Sequence, residues 1–307
     1  MSRPATFTNL AYAAPEPPDG DGHLLDLYLP AAAERPVPLI IWSSGSGWLR
    51  DDGKHGAVAV APFFTAAGYA VAGISVRSSS QALFPAQLHD AKAAVGWLRA
   101  NAGEYGIDAE RFAIMGNSSG GWVAAMVALG ADVPGPDEPS TVVSSRVQAA
   151  VDFFGPTDFL QMDAHMIGGC AEFRAFLGIQ GCHDDPGSPE SRLVGGPIES
   201  RPDACAQANP VAHVAPGAPP MMILHGQLDP FVPHHQSELL YEALRVSGND
   251  ATFYSIPGVG HELPYVTDPV RAEGYVAVST GGGIEMPPPT WETIEAFVSR
   301  ALGRHAA

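Results

Sequence analysis

Basic residues are scarce in this chain. Only two lysines, Lys54 and Lys92, occur in 307 residues, and 16 Lys and Arg stand against 33 Asp and Glu, a formal net charge of −17 at pH 7. Phosphate backbones and anionic lipid would be repelled, so nucleic acid and membrane surfaces are set aside as partners. The acidity itself reads as solubility rather than as substrate attraction. No apolar run approaches the roughly 18 residues that cross a bilayer, and Met1-Ser2-Arg3-Pro4 leads into polar sequence without a signal-peptide core. The expectation is a soluble, cytoplasmic chain, with secretion left open and the oligomeric state, a homodimer included, unread.

Cysteine is nearly as sparse. Cys170, Cys182 and Cys205 lie in one segment, none with a C-x-x-C partner, and no histidine pair has H-E-x-x-H spacing. Neither a metal site nor any other cofactor is expected. The cysteines read either as a Cys182–Cys205 disulfide stapling a surface excursion or as three reduced thiols.

Apolar residues, at 46%, are plentiful enough for a sizeable core. Short apolar runs at Leu24 to Leu29, Val37 to Trp42, Tyr69 to Val76, Arg111 to Met115, Ala149 to Phe153, Met221 to His225 and Ala251 to Ile256 alternate with helical patterns. That alternation predicts an α/β fold with a mostly parallel sheet. Leu88, Ala91, Val95 and Leu98 recur at spacings of three and four, so one face of that helix lies on the sheet. Residues 160–218 are far longer than an ordinary connection and read as an inserted cap or lid on a single domain spanning 1–307; 264–290 reads as a loop.

The most informative string is Gly116-Asn117-Ser118-Ser119-Gly120, a G-x-S-x-G between a short apolar strand and a helix of small residues. This context suits a nucleophile elbow, in which the turn is so tight that only glycine fits beside an exposed serine. A serine hydroxyl needs a histidine to take its proton and a carboxylate to orient that histidine. Asp229 follows the strand Met221 to Gly226, and His261 ends the glycine-rich loop Pro257-Gly258-Val259-Gly260. Oxyanion donors are expected from the Ser119 N–H and from Gly45 or Ser46, in a small-residue loop after a buried strand. His225, inside a strand, reads as a hydrogen-bonded core residue.

On Ser44-Gly45-Ser46-Gly47-Trp48, Gly116 to Gly121, His225-Gly226-Gln227-Leu228-Asp229 and Pro257 to His261, the chain resembles the α/β-hydrolase superfamily. Within it, the chain is similar to bacterial esterases with an H-G-G-G-W-type oxyanion loop, of the feruloyl-esterase-like or acetyl-xylan-esterase-like branch. The resemblance implies an eight-stranded sheet, a Ser118-His261-Asp229 triad and hydrolysis of carboxylic esters. The chain departs at Ser44, where His is usual, at Ser46, where Gly is usual, and at Ser119, where Ala is common. Trp48, Trp122 and Phe154 are expected to bind the substrate, a small-molecule ester with a short-chain or aryl acyl group. Amide hydrolysis and ligand binding without turnover are the alternative readings.

Overall fold

The computed structural model describes residues 5–31, 34, 36–133, 143–282 and 286–303. Nine strands form one sheet: β1 (Phe7–Ala11), β2 (Leu24–Tyr28), β3 (Val37–Ser43), β4 (Ala70–Ile74), β5 (Ile107–Asn117), β6 (Ala149–Phe153), β7 (Met221–Gly226), β8 (Ala251–Ile256) and β9 (Val276–Ser279). Their order is β1-β2-β4-β3-β5-β6-β7-β8-β9. From β4 through β8 all neighbours are parallel, and β1, β2 and β9 run antiparallel to theirs.

The apolar run of β3 is buried at every position, as a strand covered on both faces requires. Alternate residues point to opposite faces. Leu39 and Ile41 accordingly join one core cluster and Ile40 and Trp42 the other. The first face carries α2 (Ala86–Ala100), which follows α1 (Ala57–Ala66), and α4 (Ser119–Ala128), which follows the single turn α3 (Ala102–Tyr105). Leu88, Ala91, Val95 and Leu98 of α2 are fully buried, the stripe that their spacing predicts. The second face carries α1 and, at the end of the chain, α10 (Trp291–Ala301).

The sheet thus has two strands beyond those legible as apolar runs, and nine rather than eight in all. β1 is exposed along nearly its whole length, so no buried face marks it in the sequence. β9 lies within the stretch read as a loop, held antiparallel to β8 with its own side chains exposed or half-buried. Of that stretch, residues 283–285 lie outside the described residues.

Between β6 and β7 lie four short helices, α5 (Met162–His165), α6 (Ala171–Leu177), α7 (Pro189–Val194) and α8 (Pro202–Gln207), with α9 (His235–Val246) following β7. The disulfide here joins Cys170 to Cys182, not Cys182 to Cys205. Cys205 is buried in α8 with a free thiol, its Sγ 3.5 Å from the Ile198 carbonyl, and burial pushes that thiol up to about 11. Spacing alone does not fix connectivity; the fold brings Cys182 back to the start of α6 and leaves Cys205 on a different helix.

Candidate active site

Strand β5 ends at Asn117 and α4 begins at Ser119, so Ser118 alone makes the turn. Its backbone sits at φ 56°, ψ −128°, a region costly for a residue with a Cβ. The Ser118 N–H donates to the Phe153 carbonyl of β6 at 2.8 Å, and its carbonyl accepts from the Trp122 N–H at 3.1 Å. A Cβ on Gly116 would run into the Gly120 carbonyl, and one on Gly120 into the Ser43 carbonyl. The glycines of the motif are therefore imposed by how closely β3, β5 and α4 approach one another. The turn sets Ser118 at the wall of a cavity, and α4 aims its N-terminus at the same place.

Asp229 lies just beyond β7 and is 1% exposed. Its Oδ1 accepts the N–H groups of Phe231 at 2.8 Å and Val232 at 2.9 Å. Its Oδ2 lies 2.6 Å from His261 Nδ1 and 3.3 Å from His225 Nε2. Burial would push this carboxyl up, but His261 and the hydrogen bonds from both imidazoles outweigh it and hold the group well below the usual carboxylate range. His261 rests on Phe154, ring centroids 4.5 Å apart, and lines the same cavity as Ser118. With Nδ1 committed to Asp229, Nε2 is the nitrogen left to take a proton.

His225 is more than core filling. Its Nδ1 lies 2.7 Å from Ser237 Oγ and its Nε2 3.0 Å from the Val232 carbonyl, so the ring ties Asp229 and its loop to α9. A strand-internal histidine gives no sequence signal of this; the HG-x-x-D spacing, which returns the carboxylate to the end of its own strand, is the only hint.

The oxyanion loop differs in detail from expectation. The Gly45 N–H donates to Asn117 Oδ1 at 3.2 Å, and the Ser46 N–H to Ser119 Oγ at 3.0 Å. Both expected loop donors are thus engaged by side chains at rest, which the spacing of small residues does not reveal. The N–H of Gly47, in the same cavity wall, has no hydrogen-bond partner among the described residues. Ser44 stands where a histidine is usual, and its Oγ accepts the Trp42 indole N–H at 2.8 Å. A Cβ on Gly45 would lie 2.5 Å from the Ser118 Cβ, so the loop presses directly on the elbow.

The cavity encloses about 370 Å³. Its floor is the elbow and the Gly45 to Arg50 loop; its sides are apolar, with Phe173 and Leu177 from α6 and Phe231 and Val232 from the Asp229 loop. Trp48 lines it. Trp122 and Phe154 do not: Trp122 is fully buried beneath, its Nε1 donating to the Ala208 carbonyl at 2.7 Å, and Phe154 is buried behind His261. Proximity in sequence to Ser118 or to the end of β6 does not carry either side chain into the cavity. Glu190 of α7, within the stretch read as a cap, also lines the cavity, and no sequence signal singles it out.

Esterase LipQ of Mycobacterium tuberculosis is 28% identical over 250 residues, 80% of this chain and 56% of its own length. The probable carboxylic ester hydrolase LipM of the same organism is 27% identical, over 79% of this chain and 53% of its own. The chain spans about half the length of these curated relatives. Among solved structures, a truncated carbohydrate esterase from gut microbiota superposes with TM-score 0.69 at 33% identity, covering 84% of this chain and 91% of its own. A bifunctional GH43-CE protein of Bacteroides eggerthii gives TM-score 0.69 at 32% identity, over 83% of this chain and 35% of its own. The fold is that of the α/β-hydrolases, and residues 25–244, most of the chain, match the family described as BD-FAE, to which the chain therefore belongs.

Proposed function

We propose that the protein is a serine-dependent carboxylic ester hydrolase working through a covalent acyl-enzyme. One observation supports this most: His261, bonded at 2.6 Å to a buried Asp229, lines one cavity with a serine held on a strained elbow. Ser118 Oγ attacks the ester carbonyl while His261 Nε2 takes its proton. Asp229 fixes the tautomer and stabilises the imidazolium. The oxyanion is met by the Ser119 N–H at the start of α4 and by the Ser46 and Gly47 N–H groups, the first of these after Ser119 Oγ turns away. His261 then passes its proton to the leaving alcohol, and water, deprotonated by His261, releases the acyl group.

The esterase names of the relatives support the reaction class. An apolar cavity of about 370 Å³ suits a short-chain or aryl ester. Residues 160–218 act as its cap, since α6 and α7 supply one wall. The Cys170–Cys182 bridge favours an oxidising compartment over the cytoplasm. Ser118→Ala is expected to abolish both turnover of 4-nitrophenyl acetate and labelling by a fluorophosphonate, with the circular dichroism unchanged. Retained turnover overturns the assignment.

A further inference from the structure

We propose that His183 is a positioning residue held as a buried imidazolium, and that its second proton latches the cap onto the loop bearing Asp229. The inference rests on the ester-hydrolase reading above and names how that site is held and released.

His183 is fully buried, yet both of its ring nitrogens meet acceptors. Nδ1 lies 2.8 Å from Asp163 Oδ1 of α5, and Nε2 lies 3.1 Å from the Phe231 carbonyl. A neutral imidazole has one N–H and one lone pair, so it satisfies one of these contacts and presses its lone pair on the other. Only the doubly protonated ring donates to both. The groups around it fit that charge. Asp163 on α5 and Glu190 on α7 supply carboxyls, α6 supplies the Phe173 ring at 4.2 Å, and Cys182 Sγ, 3.3 Å from Nδ1, is spent in the disulfide. Burial would push the imidazole down, but Glu190 and Asp163 outweigh it and raise the ring above its ordinary value.

The two contacts join different parts of the molecule. The cap grips His183 through its backbone: the N–H donates to Asp163 Oδ1 at 2.9 Å, and the carbonyl accepts the hydroxyls of Ser188 at 2.6 Å and Ser191 at 2.9 Å. On the other side, the Phe231–Val232 peptide is held from both ends. Its carbonyl accepts from His183 Nε2, and its N–H donates to Asp229 Oδ1 at 2.9 Å. One peptide thus separates the His183 ring from the carboxylate that orients His261. When the ring loses a proton, the charge of Asp163 keeps the remaining hydrogen on Nδ1, and Nε2 turns a lone pair on the Phe231 carbonyl. The peptide that steadies Asp229 is then repelled instead of held. The latch is therefore closed at neutral pH and opens as pH rises through the raised value of the ring.

The test reads the ring and the reaction separately in the full chain. With isotopically labelled histidine, long-range proton–nitrogen spectra at pH 7.5 report the charge of each ring; the His183 signal is identified by its absence in His183→Gln and its displacement in Asp163→Asn. An imidazole at its ordinary value is about nine-tenths neutral at that pH. His183 is expected to be cationic, and a neutral ring overturns the proposal. The second arm follows kcat/KM for 4-nitrophenyl acetate from pH 7.5 to 9.5, corrected for spontaneous hydrolysis. The wild-type protein is expected to lose about threefold or more. His183→Gln, whose amide donates to the Phe231 carbonyl without titrating, and Asp163→Asn, which frees the neutral ring to keep its hydrogen on Nε2, should both stay level. A wild-type profile parallel to both variants overturns the latch, because a merely structural histidine gives no alkaline limb of its own. The spectra need no turnover, so a cationic His183 in a chain whose Ser118 neither turns over esters nor takes a fluorophosphonate leaves the charged latch standing and removes the serine mechanism alone.

Discussion

Replacing Ser119 by Ala tests the oxyanion site with two effects of opposite sign. At rest the Ser46 N–H donates to Ser119 Oγ at 3.0 Å, and Ser119 is 4% exposed. If that N–H serves the oxyanion, as proposed, the wild-type protein must break this bond before the transition state is stabilised. A neutral hydrogen bond of this kind contributes about 0.5–1.5 kcal/mol net. At about 1.4 kcal/mol per tenfold in rate, its removal raises kcat/KM by about 2- to 12-fold. The resting protein meanwhile loses the acceptor for a shielded N–H and is destabilised by about 1 kcal/mol. Turnover of 4-nitrophenyl acetate and urea unfolding monitored by tryptophan fluorescence read the two effects. A fall in kcat/KM would refute the reasoning, because it means the hydroxyl itself donates to the oxyanion; an unchanged rate beside reduced stability means Ser46 takes no part.

Two further predictions concern the surrounding fold. Asp152 is fully buried on β6 with Oδ2 unpaired, and burial, only partly opposed by the Gly155 N–H and His225, raises it from 3.8 to about 6. The folded state then holds a proton that the unfolded state releases between about pH 4 and 6, so stability declines as pH rises through that window, by up to about 3 kcal/mol; Asp152→Asn should flatten the decline in urea titrations at pH 4, 5, 6 and 7, and an unaltered slope would exclude Asp152 as its source. Cys170 and Cys182 are 12 residues apart, so Cys170→Ser releases a loop whose closure is worth about 3 kcal/mol on chain-entropy grounds; a lower melting temperature is expected, and calorimetry showing no shift would mean that the cap unfolds without reference to the rest of the chain.

Where the sequence speaks clearly, local sterics and burial decide the outcome. Val37 to Ser43 is read as a two-sided strand because no polar residue interrupts it, and Gly116-Asn117-Ser118-Ser119-Gly120 is read as an elbow because each glycine answers a specific backbone approach. Asp229 and His261 are found by their places at the ends of adjacent strands β7 and β8, where a parallel sheet collects loops along one edge. What escapes is settled by contacts between distant segments. Nothing in Ser188-Pro189-Glu190 singles out Glu190 within the stretch read as a cap; the fold brings Pro189 beside Gly47 and Glu190 to the cavity wall. The engagement of Ser46 by Ser119 depends on a loop and a helix start 73 residues apart. Trp122 and Phe154 sit beside the right residues in sequence but on the inner side of their turns, and the edge strands β1 and β9 have no buried stripe to betray them.

Five residues other than glycine have positive φ among those described, and three of them, Trp48, Ser118 and Phe154, follow β3, β5 and β6, strands that lie side by side. Each such residue stores about 1–3 kcal/mol of backbone strain. A glycine at position 118 would relax the backbone while discarding the proposed nucleophile, so losing that hydroxyl is thermodynamically downhill. On backbone grounds alone glycine is the residue suited to position 118, and the serine there at φ 56° is a cost that the proposed mechanism accounts for.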